Sequence, residues 1–152
     1  MKKSVLVVCV HNTARSQMAE EYIRKYGGDR FEAESAGLEP GEMNPYAVKV
    51  LLEDGIDIRG KATRSVFDLY NRGRRYEHVI TVCGREAEEK CPIFPGPTLR
   101  HSWPLPDPAG FEGTEEEILS RVREIRDAIK EKARDFVETE DMDGAEGPWK
   151  SR

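Results

Sequence analysis

Apolar residues along the chain recur with two different periods. Residues 4–9 (SVLVVC) form an unbroken, largely β-branched run, the pattern of a parallel strand covered on both faces. Met18, Ala19, Tyr22, Ile23 and Tyr26 then recur at helical spacing until Gly27-Gly28 stops them. Residues 31–35 (FEAES) alternate and predict a second strand closing at Ala36-Gly37. Asn44 before Pro45 predicts a helix start with proline at the first position, and the helix runs through Val48, Leu51 and Leu52 to Gly55. Residues 76–83 (YEHVITVC) predict a third strand, residues 86–90 a short charged helix, and residues 98–103 (TLRHSW) a fourth strand. Thr114 and Glu117 form a capping box ahead of one long stripe: Ile118, Val122, Ile125, Ile129 and Phe136.

Strands alternating with helices predict an α/β fold, an open four-stranded parallel sheet in a three-layer sandwich. The stripe ends near residue 137. Residues 1–137 are expected to form a single domain and residues 138–152 an acidic, mobile tail. The tail holds five acids against two bases, a net of −3, so residues 1–137 carry the remaining −2 of a total of −5. No basic face is implied, which argues against nucleic acid and anionic membrane as partners. No apolar run approaches the ~20 residues of a membrane span.

Cys9 ends the first strand, six residues before Arg15, in VLVVCVHNTARSQ. Three readings are open: a secretion signal, a buried core cysteine, or a nucleophile in an anion pocket. The apolar run of MKKSVLVVCV is short for a signal, and a helical pattern follows where a small-residue cleavage site would stand. Three cysteines are an odd number, unlike a secreted disulfide framework and in keeping with free thiols, metal ligands or redox catalysts in a reducing cytoplasm. Ligands of open parallel sheets bind beyond the carboxyl ends of the strands, where Cys9, Cys83 and Asp107 are all expected. A loop folding back on a helix start aims backbone N–H groups at one point, Arg15 adds a bidentate clamp, and Ser16 can donate to the sulfur. That environment favours a thiolate. The spacing of Cys83, Cys91 and His101 does not match a zinc site, and no metal or cofactor is expected.

The run Cys9-Val10-His11-Asn12-Thr13-Ala14-Arg15-Ser16, followed by QMAE and later ESAG, resembles the low-molecular-weight tyrosine phosphatase superfamily over residues 4 to about 136. The resemblance implies a nucleophilic Cys9 and an oxyanion-binding loop of Val10, His11, Asn12, Thr13, Ala14 and Arg15. His11 replaces a glycine common at its position and is expected to face solvent; Ala14 replaces a frequent cysteine. Two subfamilies share this pocket. Phosphatases hydrolyse a phosphocysteine, whereas thioredoxin-coupled arsenate reductases resolve an arsenic–cysteine adduct with further cysteines.

The segment TVCGREAEEKCP, carrying Cys83 and Cys91, resembles the redox segment of the reductases. Seven residues separate the two thiols here, where the family usually has six. Asp107-Pro108 in WPLPDPAG resembles the general acid of the superfamily, and Ala109-Gly110 follow where tyrosine phosphatases carry an aromatic. That favours a small inorganic oxyanion. The resemblance therefore implies arsenate as substrate, thioredoxin as partner and a relay through Cys9, Cys83 and Cys91. A phosphatase acting on phosphate esters is the alternative, and an arsenic-binding or redox-sensing module the third reading. Some of these reductases bind potassium beside the loop. Asn12, Glu20 and Ser35 match that site, but Ser65 stands where a carboxylate is usual, so the ion is not expected. His78, inside a strand, is expected to be a packed residue.

Overall fold

Strand β1 (Lys3–Cys9) lies between β2 (Phe31–Gly37) and β3 (His78–Thr81), with β4 (Leu99–Ser102) outside β3. Every pairing is parallel. These elements come from a computed structural model that describes residues 2–146. β1 is bonded along both edges, and its apolar run is buried on both faces. Alternation along the strand divides the core in two. Val5, Val7 and Cys9 face one layer, and Leu6 and Val8 face the other.

Helices α1 (Arg15–Gly27), α2 (Pro45–Glu53) and α5 (Glu115–Glu146) cover the first face. Asn44 caps α2 as expected, its Oδ1 accepting from the amides of Tyr46 (2.8 Å) and Ala47 (3.3 Å). The Thr114–Glu117 capping box is also formed. The second face is covered by α3 (Val66–Asn71) together with Tyr76, Cys91 and Phe94. The expected three-layer α/β sandwich is what the structure has. α4 (Arg85–Lys90) bridges β3 and the segment carrying Cys91.

Two elements differ from the sequence reading. α3 was not expected, since its six residues offer less than two turns of periodicity; only the Ser65 cap on the Phe67 amide (3.2 Å) and the Val66–Leu69 pair mark it. The second is a correction. Residues 138–146 are not a tail, because α5 runs through them to Glu146. Phe136 packs against Phe31, His78, His101 and Trp103, carrying the helix past the sheet edge. One turn later Glu140 is buried, its Oε1 3.6 Å from His78 Nε2, and its carbonyl accepts from Lys3 Nζ. His78 is packed, as expected. The rest of the expected tail, 147–152, lies outside the described residues.

Candidate active site

β1 delivers Cys9 to the carboxyl edge of the sheet, between β2 and β3. Residues 10–14 then turn back onto the start of α1. A strap of residues 38–44 takes up the carbonyls of this turn. Leu38 donates to Cys9 O (3.1 Å), Glu39 to Val10 O (2.7 Å), Gly41 to His11 O (3.0 Å) and Asn44 to Thr13 O (3.0 Å). Every described peptide bond is trans, and in a trans peptide the N–H points opposite the preceding carbonyl. The amides of Val10, His11, Asn12 and Ala14 therefore face away from the strap. Two of them meet sulfur there: Val10 N–H donates to Cys83 Sγ (3.1 Å) and Asn12 N–H to Cys9 Sγ (3.3 Å). Converging amides of this kind, backed by a helix N-terminus, form a nest for an oxyanion.

Asn12 is the pivot of the turn. It holds φ 58°, a left-handed conformation that asparagine tolerates better than most residues. The strain is held by its fully buried side chain. Oδ1 accepts from Arg64 N (3.0 Å) and Gln17 Nε2 (3.1 Å), and Nδ2 donates to Ser16 Oγ (2.8 Å). Gly37, paired with Cys9 in the sheet, lets β2 end directly against the turn. A Cβ there would stand 2.8 Å from Asn12 N, His11 C and Val10 O.

The Cys9 thiol is held well below its ordinary pKa. The hydrogen bond from the Cys83 thiol contributes most; burial opposes it, and Ser16, the Asn12 amide and the Arg15 charge add to the lowering. Cys83 is pushed upward, first by that same hydrogen bond and then by burial. Of the pair, Cys9 is the one favoured as thiolate and Cys83 the one favoured as thiol. Arg15 is 6% exposed, its Nη1 donating to Leu105 O (2.8 Å) and its Nη2 3.8 Å from Asp107 Oδ2. Asp107 is half exposed and also caps the short turn Pro108–Gly110, its Oδ1 accepting from Ala109 N (2.9 Å). His11 is exposed, as expected, and its Nδ1 donates to Glu39 O (2.8 Å).

The structure thus brings Cys9, Arg15, Ser16, Cys83 and Asp107 to one edge. It does not bring Cys91 there. Cys91 is buried among Leu6, Val8, Tyr76 and Phe94 on the opposite face of the sheet, where burial raises its pKa. All three cysteines are free thiols. Trp103 is buried, its ring centroid 6.1 Å from that of Phe136. A potassium ion does not fit the residues present. Ser35 donates to Oε1 of the buried Glu20 (2.6 Å), but the Lys61 ammonium lies 2.8 Å from its Oε2 and Arg24 lies 2.9 Å away. The carboxylate is already neutralised, and Ser65 is committed to capping α3.

Sequence reasoning missed the strap, Gln17, the Leu105 carbonyl and Lys61. The ligands of Arg15 and of the turn are backbone groups, which no residue type marks. Gln17 was legible only as the first residue of QMAE.

A family model described as low molecular weight phosphotyrosine protein phosphatase matches residues 4–145. An arsenate reductase of Bacillus licheniformis is 42% identical, with 91% of this chain and 97% of that protein covered. An arsenate reductase of Bacillus subtilis is 38% identical, with 90% and 96% covered. Among solved structures, an arsenate reductase in its oxidized state superposes with a TM-score of 0.76 at 28% identity, covering 90% of this chain and 98% of that one. A thioredoxin-dependent arsenate reductase of Corynebacterium glutamicum superposes with a TM-score of 0.64 at 28% identity, covering 91% of this chain and 63% of that one.

Proposed function

Since this chain belongs to the low-molecular-weight phosphotyrosine protein phosphatase family, we propose that its nucleophilic cysteine serves the reduction of arsenate to arsenite. The observation that carries this choice over phosphoester hydrolysis is Cys83. A second thiol lies in hydrogen-bonding contact with Cys9 and on the Val10 amide of the oxyanion turn. Hydrolysis needs no such group, whereas reduction needs a second thiol to supply electrons. The relatives named arsenate reductase, among them a thioredoxin-dependent one, support the same reading.

In the proposed sequence the Cys9 thiolate attacks arsenic while the inward amides and Arg15 hold the oxyanion. Asp107, facing Arg15, protonates the departing hydroxyl, which leaves as water. With Cys9 bound to arsenic, the thiolate that kept Cys83 protonated is gone. Cys83 can then lose its proton and attack Cys9 Sγ. The sulfur–sulfur bond forms as the sulfur–arsenic pair of electrons passes to arsenic, so two thiols are oxidised and As(V) leaves as As(III).

Cys91 next attacks Cys83, freeing the Cys9 thiolate and leaving a Cys83–Cys91 disulfide. That step requires α4 to unwind. Its six helical residues advance about 9 Å, whereas a disulfide needs Cα atoms about 4.4–6.8 Å apart. Gly84, at φ 87° with nothing near its missing Cβ, gives the segment a pivot beside Cys83. The seventh intervening residue is a small matter. Lengthening a closing loop from six residues to seven costs about 0.1 kcal/mol.

The disulfide is then reduced by thioredoxin or a similar dithiol protein of the cytoplasm. No helix among the described residues is long and apolar enough to cross a membrane. The test compares arsenate-dependent oxidation of reduced thioredoxin with aryl-phosphate hydrolysis, in the wild type and in Cys83→Ser. Reductase activity should vanish in Cys83→Ser while any phosphatase activity persists. Phosphate hydrolysis without arsenate-dependent thioredoxin oxidation in the wild type would overturn the proposal.

A further inference from the structure

The strap of residues 38–44 takes the carbonyls of Cys9, Val10, His11 and Thr13 and passes over that of Asn12. Gln17 takes it instead. Its Nε2 donates to Asn12 O (3.0 Å), to Asn12 Oδ1 (3.1 Å) and, more weakly, to Ala62 O (3.4 Å). All three partners are acceptors, so the carboxamide has one workable orientation, with NH2 toward the turn. Its own Oε1 is then left buried without a donor. The side chain is fully buried in the first turn of α1 and spans the oxyanion turn, the helix and the segment beside Arg64.

We propose that Gln17 is a positioning residue for oxyanion binding, locking the Asn12–Thr13 peptide with its carbonyl turned out of the pocket so that the Thr13 amide faces in. The inference rests on the reading of the Cys9 turn as an oxyanion pocket. The trans geometry of the peptide ties the two groups together: whatever holds Asn12 O outward holds Thr13 N–H inward. Asn12 is already in the left-handed region at φ 58°. Without Gln17 its buried carbonyl loses its donor, and rotation of the peptide plane becomes the way to satisfy it. That rotation replaces an inward donor by an inward carbonyl, which repels an anion. The hydrogen bonds of Gln17 go to Asn12 and Ala62, and none to Cys9 or Arg15, so its action falls first on affinity for the oxyanion.

Protection of Cys9 from iodoacetamide by inorganic phosphate, read by mass spectrometry of the Cys9 peptide, measures the pocket without turnover. In Gln17→Met, which keeps side-chain length and removes the donor, the phosphate concentration for half-protection should rise roughly tenfold to a hundredfold. The alkylation rate without phosphate should stay within a few-fold of wild type. A Gln17→Met protein with a lower Tm but unchanged half-protection would show a merely structural role and overturn the proposal. Absence of protection in the wild type would overturn the pocket reading itself, a separate failure. A measurement on the wild type alone guards against a variant that does not fold. In 15N-labelled protein the Gln17 side-chain amide should exchange slowly with water and shift as phosphate is added; fast exchange with no shift overturns the assignment.

Discussion

Gly37→Ala is a one-methyl test of how the oxyanion turn is built. Gly37 is not among the glycines with positive φ, so alanine meets no backbone strain there and the effect is purely steric. The new methyl would stand 2.8 Å from Asn12 N, His11 C and Val10 O, all backbone atoms that cannot rotate away. Comfortable carbon contacts begin near 3.5 Å, so β2 and the turn must separate by roughly 0.7 Å. Overpacking of this kind costs about 1–3 kcal/mol, and each kcal/mol lowers Tm by roughly 2–4 °C in a chain of this size.

The displacement falls between two strap bonds, Leu38 N to Cys9 O and Glu39 N to Val10 O, and tilts the amides that they orient. Hydrogen bonds weaken steeply with angle, so phosphate should bind roughly tenfold to a hundredfold more weakly, or about 1.4–2.8 kcal/mol. Calorimetric titration with phosphate and a thermal melt read both effects. Gly41→Ala, in the same strap, is the comparison, because its Cβ would meet only Thr13 Cγ2 at 3.4 Å and His11 Cβ at 3.7 Å. Equal phosphate affinities in the two variants would refute the account of the turn.

Three further outcomes follow from the same structure. Cys91→Ser should release one arsenite per chain and then stall with a Cys9–Cys83 bridge visible on a non-reducing gel; sustained turnover with thioredoxin would rule out the relay. Cys9 alkylation should stay on its plateau well below pH 8.5 and fall only in acid, because the folded protein depresses the thiol pKa; Ser16→Ala removes a donor to the anion and should move the fall to higher pH, with an unmoved profile counting against Ser16. Lys61→Met leaves the buried Glu20 carboxylate with Arg24 as its remaining cation, so urea denaturation should show a loss toward the lower end of ~3–5 kcal/mol; a loss under about 1 kcal/mol would show that Arg24 suffices.

The strands and the long helices were legible because burial on two faces or on one stripe writes itself into residue type. Residues 4–9 and the stripe from Ile118 to Phe136 are the clearest cases. The chemistry-bearing residues were legible for a related reason: Cys9, Cys83 and Asp107 all stand at or after strand ends, and the topology gathers those ends at one edge. What stayed hidden depends on backbone or on pairing in space. The strap bonds are backbone amides that most residue types could supply. Lys61 meets Glu20 across 41 positions of sequence, and nothing local announces the pair. The acidic residues after 137 read as solvated because Glu140 finds His78 and Lys3 only in three dimensions. Cys91 was grouped correctly with Cys83 in sequence, yet the fold stores it on the far side of the sheet.

The contact between Lys3 and Glu140 joins positions 137 residues apart, and it bears on how the chain is made. β1 lies inside the sheet, and the apolar layer on its Val5–Val7 face is completed by α1, α2 and α5, the last of these more than a hundred residues further along the chain. The face of α1 and α2 that receives α5, and the apolar stripe of α5 itself, therefore stay uncovered until that helix docks. Closure of so long a loop comes late and slowly. Chains lacking α5 should accordingly be clients of chaperones in a way that the folded protein is not.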